Sequence, residues 1–406
     1  MNPYETLQFH CPTKIVHGIG SLEDRLGEEA KYLDAGKAII VTDTGIAEVG
    51  LLDNVYKCLK NDGITCRVFD KIEHDAQVAV VDEGAAICRE ENIDVVVAIG
   101  GGSALAAGKA VASIAKNGGS LGDHQGLARV SARSLPLIAI PTTAGSGAEV
   151  SAAVPYFDED RSRKTGTFSQ FFFPDVAILD ATLLRSLPFR QAVRSGVDAL
   201  THAMEAFLTV KATPITDAMA LSAIELLSRN LRMATMTHDL EAKQSALIGS
   251  TMANLACGNA KLGLAHLLNR PVNSLFPEVP YGESIGILLV PVMEFNLSAS
   301  IERFGVMAKC MGEEGGELNG REFAAKCLLA LKNMLADLRI VRHYSTDSVD
   351  RRMVPRMARM AAKGMHGGMK TEDMPDNTVI ESFNLRRATI GDVIGIYEQA
   401  FEGWVI

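Results

Sequence analysis

Short runs of β-branched residues alternate with helical patterns through the first half of the chain. KAIIVTD (37–43), ITCRVFD (64–70), DVVVAIG (94–100) and LPLIAIPT (135–142) read as strands, and LLDNVYKCLKND and the stretch around 78–91 between them read as helices. This alternation predicts a parallel sheet covered by helices on both faces. DVVVAIG is apolar almost throughout, as a strand buried on both faces should be. From Leu187-Pro188 onward the period changes. Ala, Met and Leu recur at helical spacing through ALTHAMEAFL, DAMALSAIELLSRNL, FAAKCLLALKNMLADL and MVPRMARMAAKGM, so this half should be almost entirely helical, with its methionines serving as core packing. MGEEGGELNGRE (311–322) reads as an exposed loop between helices. The expectation is an α/β domain over 1–187 followed by an all-α domain over 188–406. A chain of 406 residues is too long for one ordinary core.

Composition narrows the function classes. The net charge of −9 and pI near 5.6 argue against nucleic acid or an anionic membrane surface as the main partner. No apolar run reaches the roughly 20 residues of a bilayer span. The start, MNPYETLQFHCPTK, has neither a basic n-region nor an apolar h-region, so a cytoplasmic address is expected. Seven cysteines without a CxxC spacing predict reduced core thiols and no disulfide framework.

Two glycine-rich turns fall at the carboxyl ends of strands, where parallel sheets bind ligands. Gly100-Gly101-Gly102-Ser103 precedes the helix ALAAGKAVASIA, and its bare backbone can approach a pyrophosphate at a helix N-terminus. A turn with no ligand fits the motif equally, since it matches neither GxGxxG nor the Walker pattern. Asp43 closes the first clear strand. It can accept hydrogen bonds from an adenosine ribose while repelling a 2′-phosphate, or it can simply cap a helix. Thr142, Thr143, Ser146 and Ser151 form a hydroxyl-rich loop suited to phosphate or ribose, or to turn chemistry alone. Lys164 is a solvated charge unless the fold brings it to the cofactor.

In the helical half, Asp198 and His202 stand four residues apart in GVDALTHAMEA. That spacing on a helix turns a carboxylate and an imidazole to one side, and His266 in KLGLAHLLNR can complete a facial set for a divalent cation. The other histidines, at 10, 17, 74, 124, 238, 343 and 366, lack such company.

Taken together, GGGS with Lys109, PTTAGSGAE (141–149), FPDVAILD (173–180), GVDALTHAMEAF (196–207), LGLAHLL (262–268) and NLRRATIGDVIGIYEQAF (384–401) resemble the iron-containing (group III) alcohol dehydrogenases. The match is ordered and spans most of the chain. The resemblance implies a dinucleotide-binding α/β domain, a helical domain, a cleft between them for metal and substrate, reversible NAD(P)-linked alcohol oxidation, and a homodimer or larger homo-oligomer. It implies that Asp43 contacts the adenosine ribose, favouring NAD over NADP, and that Gly101, Gly102 and Ser103 take the pyrophosphate. Thr142, Thr143, Ser151 and Lys164 would line the rest of the cofactor site. Asp198, His202 and His266 would hold Fe²⁺ or Zn²⁺.

Four departures from the family pattern matter. Its GGGSxxD aspartate is Ala106, its proline–asparagine–proline is His74-Asp75-Ala76, its histidine four residues after the His266 position is Arg270, and its fourth metal-ligating histidine is Tyr281. A neutral phenol is a poor ligand, so metal affinity should fall. Arg270 offers a cationic fork for a carboxylate, phosphonate or sulfonate on the substrate, or it caps its helix before Pro271. The reading is therefore an NAD(H)-dependent oxidoreductase interconverting a small alcohol and its aldehyde or ketone, with a divalent cation polarising the substrate oxygen. Its rivals are a metal-independent reductase using Tyr281, His202 or His266 as proton donor, a dehydroquinate synthase-like lyase, and an inactive nucleotide-binding protein.

Overall fold

The computed structural model describes residues 6–73, 75–127, 130–158, 163–362 and 374–406, leaving aside the side chains of 163 and 164. In the first half, strands β1 (Lys14–His17), β2 (Lys37–Asp43), β3 (Thr65–Ile72), β4 (Val95–Gly100), β5 (Gly126–Leu127), β6 (Leu137–Pro141), β7 (Ala153–Asp158), β8 (Arg163–Phe168) and β9 (Val176–Leu179) alternate with helices α1 (Ser21–Tyr32), α2 (Thr44–Glu48), α3 (Leu51–Asn61), α4 (Val78–Glu90) and α5 (Gly102–Asn117). Six of the strands form one sheet in the order β1-β9-β6-β4-β2-β3, every neighbour parallel. The expected parallel sheet is thus present. Strand β4 is buried along its whole length, as its uninterrupted Val and Ile demand of a strand covered on both faces. β7 and β8 pair antiparallel in a separate three-stranded sheet with β5, which the apolar periodicity did not announce.

The remainder is helical: α6 (Phe189–Phe207), α7 (Pro214–Met236), α8 (Leu240–Ala260), α9 (Leu264–Leu275), α10 (Tyr281–Leu297), α11 (Ile301–Cys310), α12 (Gly320–Asp337), α13 (Val354–Ala362) and α14 (Ile390–Glu402). A two-residue pair, β10 (Val379–Ile380) with β11 (Ala388–Thr389), is the exception. Helix starts follow local chemistry. Thr213 caps α7 ahead of Pro214, Asn319 caps α12 and Thr389 caps α14, each in a reciprocal capping box. The expected 311–322 loop therefore ends at Asn319, where the cap begins a helix.

The chain forms two compact units. One comprises His10–Pro188 and His238–Asn254, the other Phe189–Thr237 and Leu255–Ile406 with the residues up to Phe9. The segment His238–Asn254 joins the α/β unit through side chains of α8. Gln244 bonds both Ala181 N and Leu179 O, the Thr251 hydroxyl donates to Glu149, and the Asn254 amide donates to Ser146 O. Of the seven cysteines all are free, but only Cys88, Cys257 and Cys327 are buried. The expectation that all are core thiols fails for the other four, which lie part-exposed. No helix among the described residues is long and apolar enough to cross a membrane.

Candidate active site

In the α/β unit, the two glycine-rich turns face each other. Gly100 ends β4 at φ +145°, and a Cβ there would lie 2.6 Å from the Ala104 Cβ and 2.9 Å from Asp43 Oδ2; conformation and space both require glycine. Gly101 opens α5 and no side chain caps that helix. A Cβ on Gly102 would approach Ser146 Oγ to 2.9 Å, so the Thr142–Gly147 loop lies directly against the start of α5. That loop is pinned by Thr142 N donating to Gly100 O at 3.0 Å and by Asn254. Helix start, bare backbone and neighbouring hydroxyls make a place where an anion is favoured.

Asp43 sits at the carboxyl end of β2, where its Oδ1 accepts from Ile46 N at 3.0 Å and caps α2. The capping role is therefore realised, with Oδ2 turned to the Gly100 turn. Ser151 uses its hydroxyl to accept from Ala153 N at 3.1 Å, which is turn chemistry. Thr143 is part-exposed beside Gly101 and Thr142 is buried. Lys164 is placed by its backbone opposite Phe157 in β8, but its side chain lies outside the described residues, as does His74. Ala106 is buried in the sheet-facing core of α5. Lys109, which the sequence offered only as a motif marker, proves structural. Its ammonium donates to the carbonyls of Ala148, Ser151 and Ala153 at 3.0, 3.1 and 2.7 Å. Burial pushes its pKa down to about 7 against the opposing charge of Glu149.

In the helical unit, α6 carries Asp198, His202 and Glu205 at i, i+4 and i+7, one face of the helix. His266 arrives from the first turn of α9, and ligand atoms of Asp198, His202 and His266 all lie within 4.8 Å of one another. The two imidazoles stack with centroids 4.4 Å apart and planes 16° apart. His266 Nε2 faces Asp198 Oδ1 at 3.4 Å, and both atoms are buried with no hydrogen-bond partner among the described residues. Buried polar atoms left in this way converge on a point that a cation would satisfy. One carboxylate and two imidazoles with open positions suit Fe²⁺ or Zn²⁺.

Glu205 is the candidate site residue that the sequence reading missed. Its buried carboxylate accepts from His266 Nδ1 at 2.6 Å and from the backbone amides of Gly263 and Ala265. It thus caps α9 and orients the His266 ring at once, the arrangement expected behind a metal-ligating histidine. A Cβ at Gly263 would lie 2.9 Å from Glu205 Oε1, which explains the glycine before Leu264-Ala265-His266. The missed signal was present: Glu205 is seven residues beyond Asp198 on the same helix. Burial opposes protonation of His266, but Glu205 foremost and then Asp198 raise its pKa to about 9. Burial likewise raises Asp198, yet His202 and His266 outweigh it and hold the carboxyl below its usual value.

Tyr281, at the first position of α10, has its ring centroid 6.4 Å from that of His266, so the residue stands beside the candidate ligand set. Burial and then Asp198 push its phenol well above the usual value, so it stays protonated although the residue is 42% exposed. The following glycine is obligatory, since a Cβ on Gly282 would lie 2.3 Å from the Arg194 carbonyl oxygen of α6. Arg270 projects from α9 four residues after His266. The helix runs on through Pro271 to Leu275, so Arg270 does not cap it and that alternative falls.

With this geometry in hand, comparisons with known proteins converge. Residues 12–181 match the family model of iron-containing alcohol dehydrogenases, and residues 192–385 match the C-terminal model of the Fe-containing alcohol dehydrogenase family. The chain is 34% identical over 359 residues to a choline dehydrogenase of Bacillus subtilis, covering 87% of this chain and 89% of the relative. It is 32% identical over 393 residues to an NAD-dependent methanol dehydrogenase of Bacillus methanolicus, covering 97% and 99%. Among solved structures, a 1,3-propanediol oxidoreductase superposes with a TM-score of 0.90 at 30% identity, covering 98% of this chain and all of the other.

Proposed function

The chain belongs to the iron-containing alcohol dehydrogenase family, and from that premise we propose that it is an NAD-dependent oxidoreductase interconverting a small alcohol and its aldehyde or ketone at the Asp198–His202–His266 cluster. The observation carrying this reading is the convergence of three ligand atoms within 4.8 Å, two of them buried without partners. When bound, a divalent cation there supplies Lewis-acid polarisation of the substrate C–O bond, and NAD supplies the hydride acceptor.

The chain's own residues do the rest. Glu205 accepts the Nδ1 proton of His266 and thereby turns Nε2 toward the cluster. His266 must then release its Nε2 proton, which Glu205 and Asp198 hold up to about pH 9, before that nitrogen can act as a ligand. The uncapped start of α5 and the Thr142–Gly147 loop would hold the cofactor's pyrophosphate, through Gly101, Gly102 and Ser103. Asp43 accepts the ribose hydroxyls and disfavours a 2′-phosphate. Homo-oligomerisation and a cytoplasmic address complete the proposal.

A second reading rests on Tyr281. Its protonated phenol beside a protonated His266 gives a donor for the carbonyl oxygen in a metal-independent reduction. One experiment separates the readings and also tests the redox assignment. NADH oxidation at 340 nm is followed with a panel of short aldehydes, before and after chelation. Turnover that chelation abolishes and Fe²⁺ or Zn²⁺ restores supports the cation. Turnover indifferent to chelation supports Tyr281, and no absorbance change with any aldehyde dismisses the redox proposal.

A further inference from the structure

Helix α9 is apolar on most of its surface, with Leu264, Ala265, Leu268 and Val272 buried. Its polar residues gather on one face at i, i+3, i+4 and i+7: His266, Asn269, Arg270 and Asn273. His266 belongs to the metal cluster. Asn269 spends its amide donor on the start of α10, whereas Arg270 and Asn273 keep donors that nothing among the described residues takes up. Asn273 is 8% exposed, yet its amide nitrogen has no hydrogen-bond partner among the described residues, and neither does Asn269 Oδ1. Arg270 is exposed, and among the described residues it forms no ion pair or hydrogen bond, whereas most arginines of this chain pair with a carboxylate or carbonyl, as Arg194 does with Glu283.

An unpaired buried amide N–H costs about 1–3 kcal/mol, so an acceptor oxygen, from water or from a ligand, is the physical expectation at this face. Asn269 Nδ2 donates to Tyr281 O at 3.3 Å, which holds this part of α9 beside the start of α10 and the ring of Tyr281, itself 6.4 Å from His266. Tyr281 in turn feels the charge of Arg270. A guanidinium and an amide donor one helical turn apart, both unpaired, one turn beyond a metal-ligand candidate, match a small anion attached by a short linker to the reacting carbon.

We propose that Arg270 and Asn273 form an anion subsite that selects short alcohols or aldehydes bearing a carboxylate, sulfonate or phosphonate. This rests on the redox reading above, and it makes Arg270 a specificity residue where a titratable ring would leave the substrate end neutral. The planar guanidinium fork donates to two oxygens side by side, and the Asn273 amide NH₂ donates to a further one.

The test compares kcat/KM of the metal-loaded enzyme for propanal with that for succinate semialdehyde, sulfoacetaldehyde and phosphonoacetaldehyde, in the wild type, Arg270→Gln, Arg270→Lys and Asn273→Leu. Calorimetric binding of ethanesulfonate, which cannot react, is measured in parallel. The expected result is a wild-type preference for at least one anionic aldehyde. The anionic-to-neutral ratio should fall about 10- to 100-fold in Arg270→Gln, recover in part in Arg270→Lys and fall severalfold in Asn273→Leu, with ethanesulfonate binding weakening in step. The three anionic aldehydes rank the acceptable head groups. A ratio that moves less than about threefold in Arg270→Gln overturns the subsite while leaving the redox reading intact. If no aldehyde turns over, the redox reading fails, and ethanesulfonate binding that depends on Arg270 then decides the subsite alone. Binding indifferent to Arg270 overturns it.

Discussion

Glu205→Gln isolates the residue on which the proposed metal cluster depends. The carboxylate accepts at once from His266 Nδ1, Gly263 N and Ala265 N. A near-isosteric amide has one acceptor oxygen and places an NH₂ against a donor on the other side. Either the His266 tautomer flips, putting a proton on Nε2 where a cation should bind, or the α9 cap is lost. Loss of such an outer partner lowers metal affinity by roughly 10- to 100-fold, about 1.4–2.7 kcal/mol. Proton competition adds a signature. Wild-type His266 is raised to about 9 chiefly by Glu205, so on the proposed reading a metal would compete with a proton at pH 7 and largely escape that competition above pH 9. Its affinity should rise up to about tenfold per pH unit over that range. Glu205→Gln loses most of the competition together with the orientation, so its deficit should be small at pH 7 and large at pH 9. Competition between metal-free protein and a chromophoric chelator for Zn²⁺, at both pH values, measures this. Equal affinities for variant and wild type at pH 9, or a deficit independent of pH, would refute the reasoning.

Gly282→Ala drives a Cβ to 2.3 Å from the Arg194 carbonyl oxygen and should cost about 1–3 kcal/mol or more, read as a lowered Tm. In the metal-free enzyme, His266 has a folded pKa raised from its ordinary 6.5 to about 9. Its stabilising contribution is therefore full below pH 6.5 and lost as pH climbs through 9; urea midpoints should decline across that window, and less so in Glu205→Gln. Asp43→Ala removes the cap on Ile46 N, costing about 1 kcal/mol, and should shift the NAD-to-NADP ratio of kcat/KM toward NADP. Lys109→Met leaves three carbonyls without their buried donor and should destabilise by about 1–3 kcal/mol or more, read by urea unfolding.

Legibility followed locality. β2, β4 and β6, the helix at 78–90 and the helical second half were readable because each announces itself by an uninterrupted apolar run or a 3.6-residue stripe. β1 and β9 were not, since KIVH and VAIL are four residues long and carry too little periodicity to stand out. The β7–β8 hairpin is equally silent, because its pairing is set by partners and not by pattern. Within the site, Asp198 and His202 were legible as an i,i+4 pair. That His266 meets them depends on how α9 packs, which the family motif supplied and residue spacing did not. Glu205 was overlooked because a Glu on a helix is ordinarily a solvated charge, and only its burial against the α9 amides reveals otherwise. Arg270 remained ambiguous for one reason: Pro271 suggested a helix end, but α9 accommodates the proline and continues to Leu275.

The central claim is that Asp198, His202 and His266 together hold a divalent cation. Titrating the metal-free enzyme with Co²⁺ and reading its visible d–d absorption tests this most directly. One Co²⁺ per chain, with a spectrum that changes when an alcohol is added and disappears in His202→Ala, is the predicted result. Absence of stoichiometric binding, or an identical spectrum in wild type and His202→Ala, would contradict it.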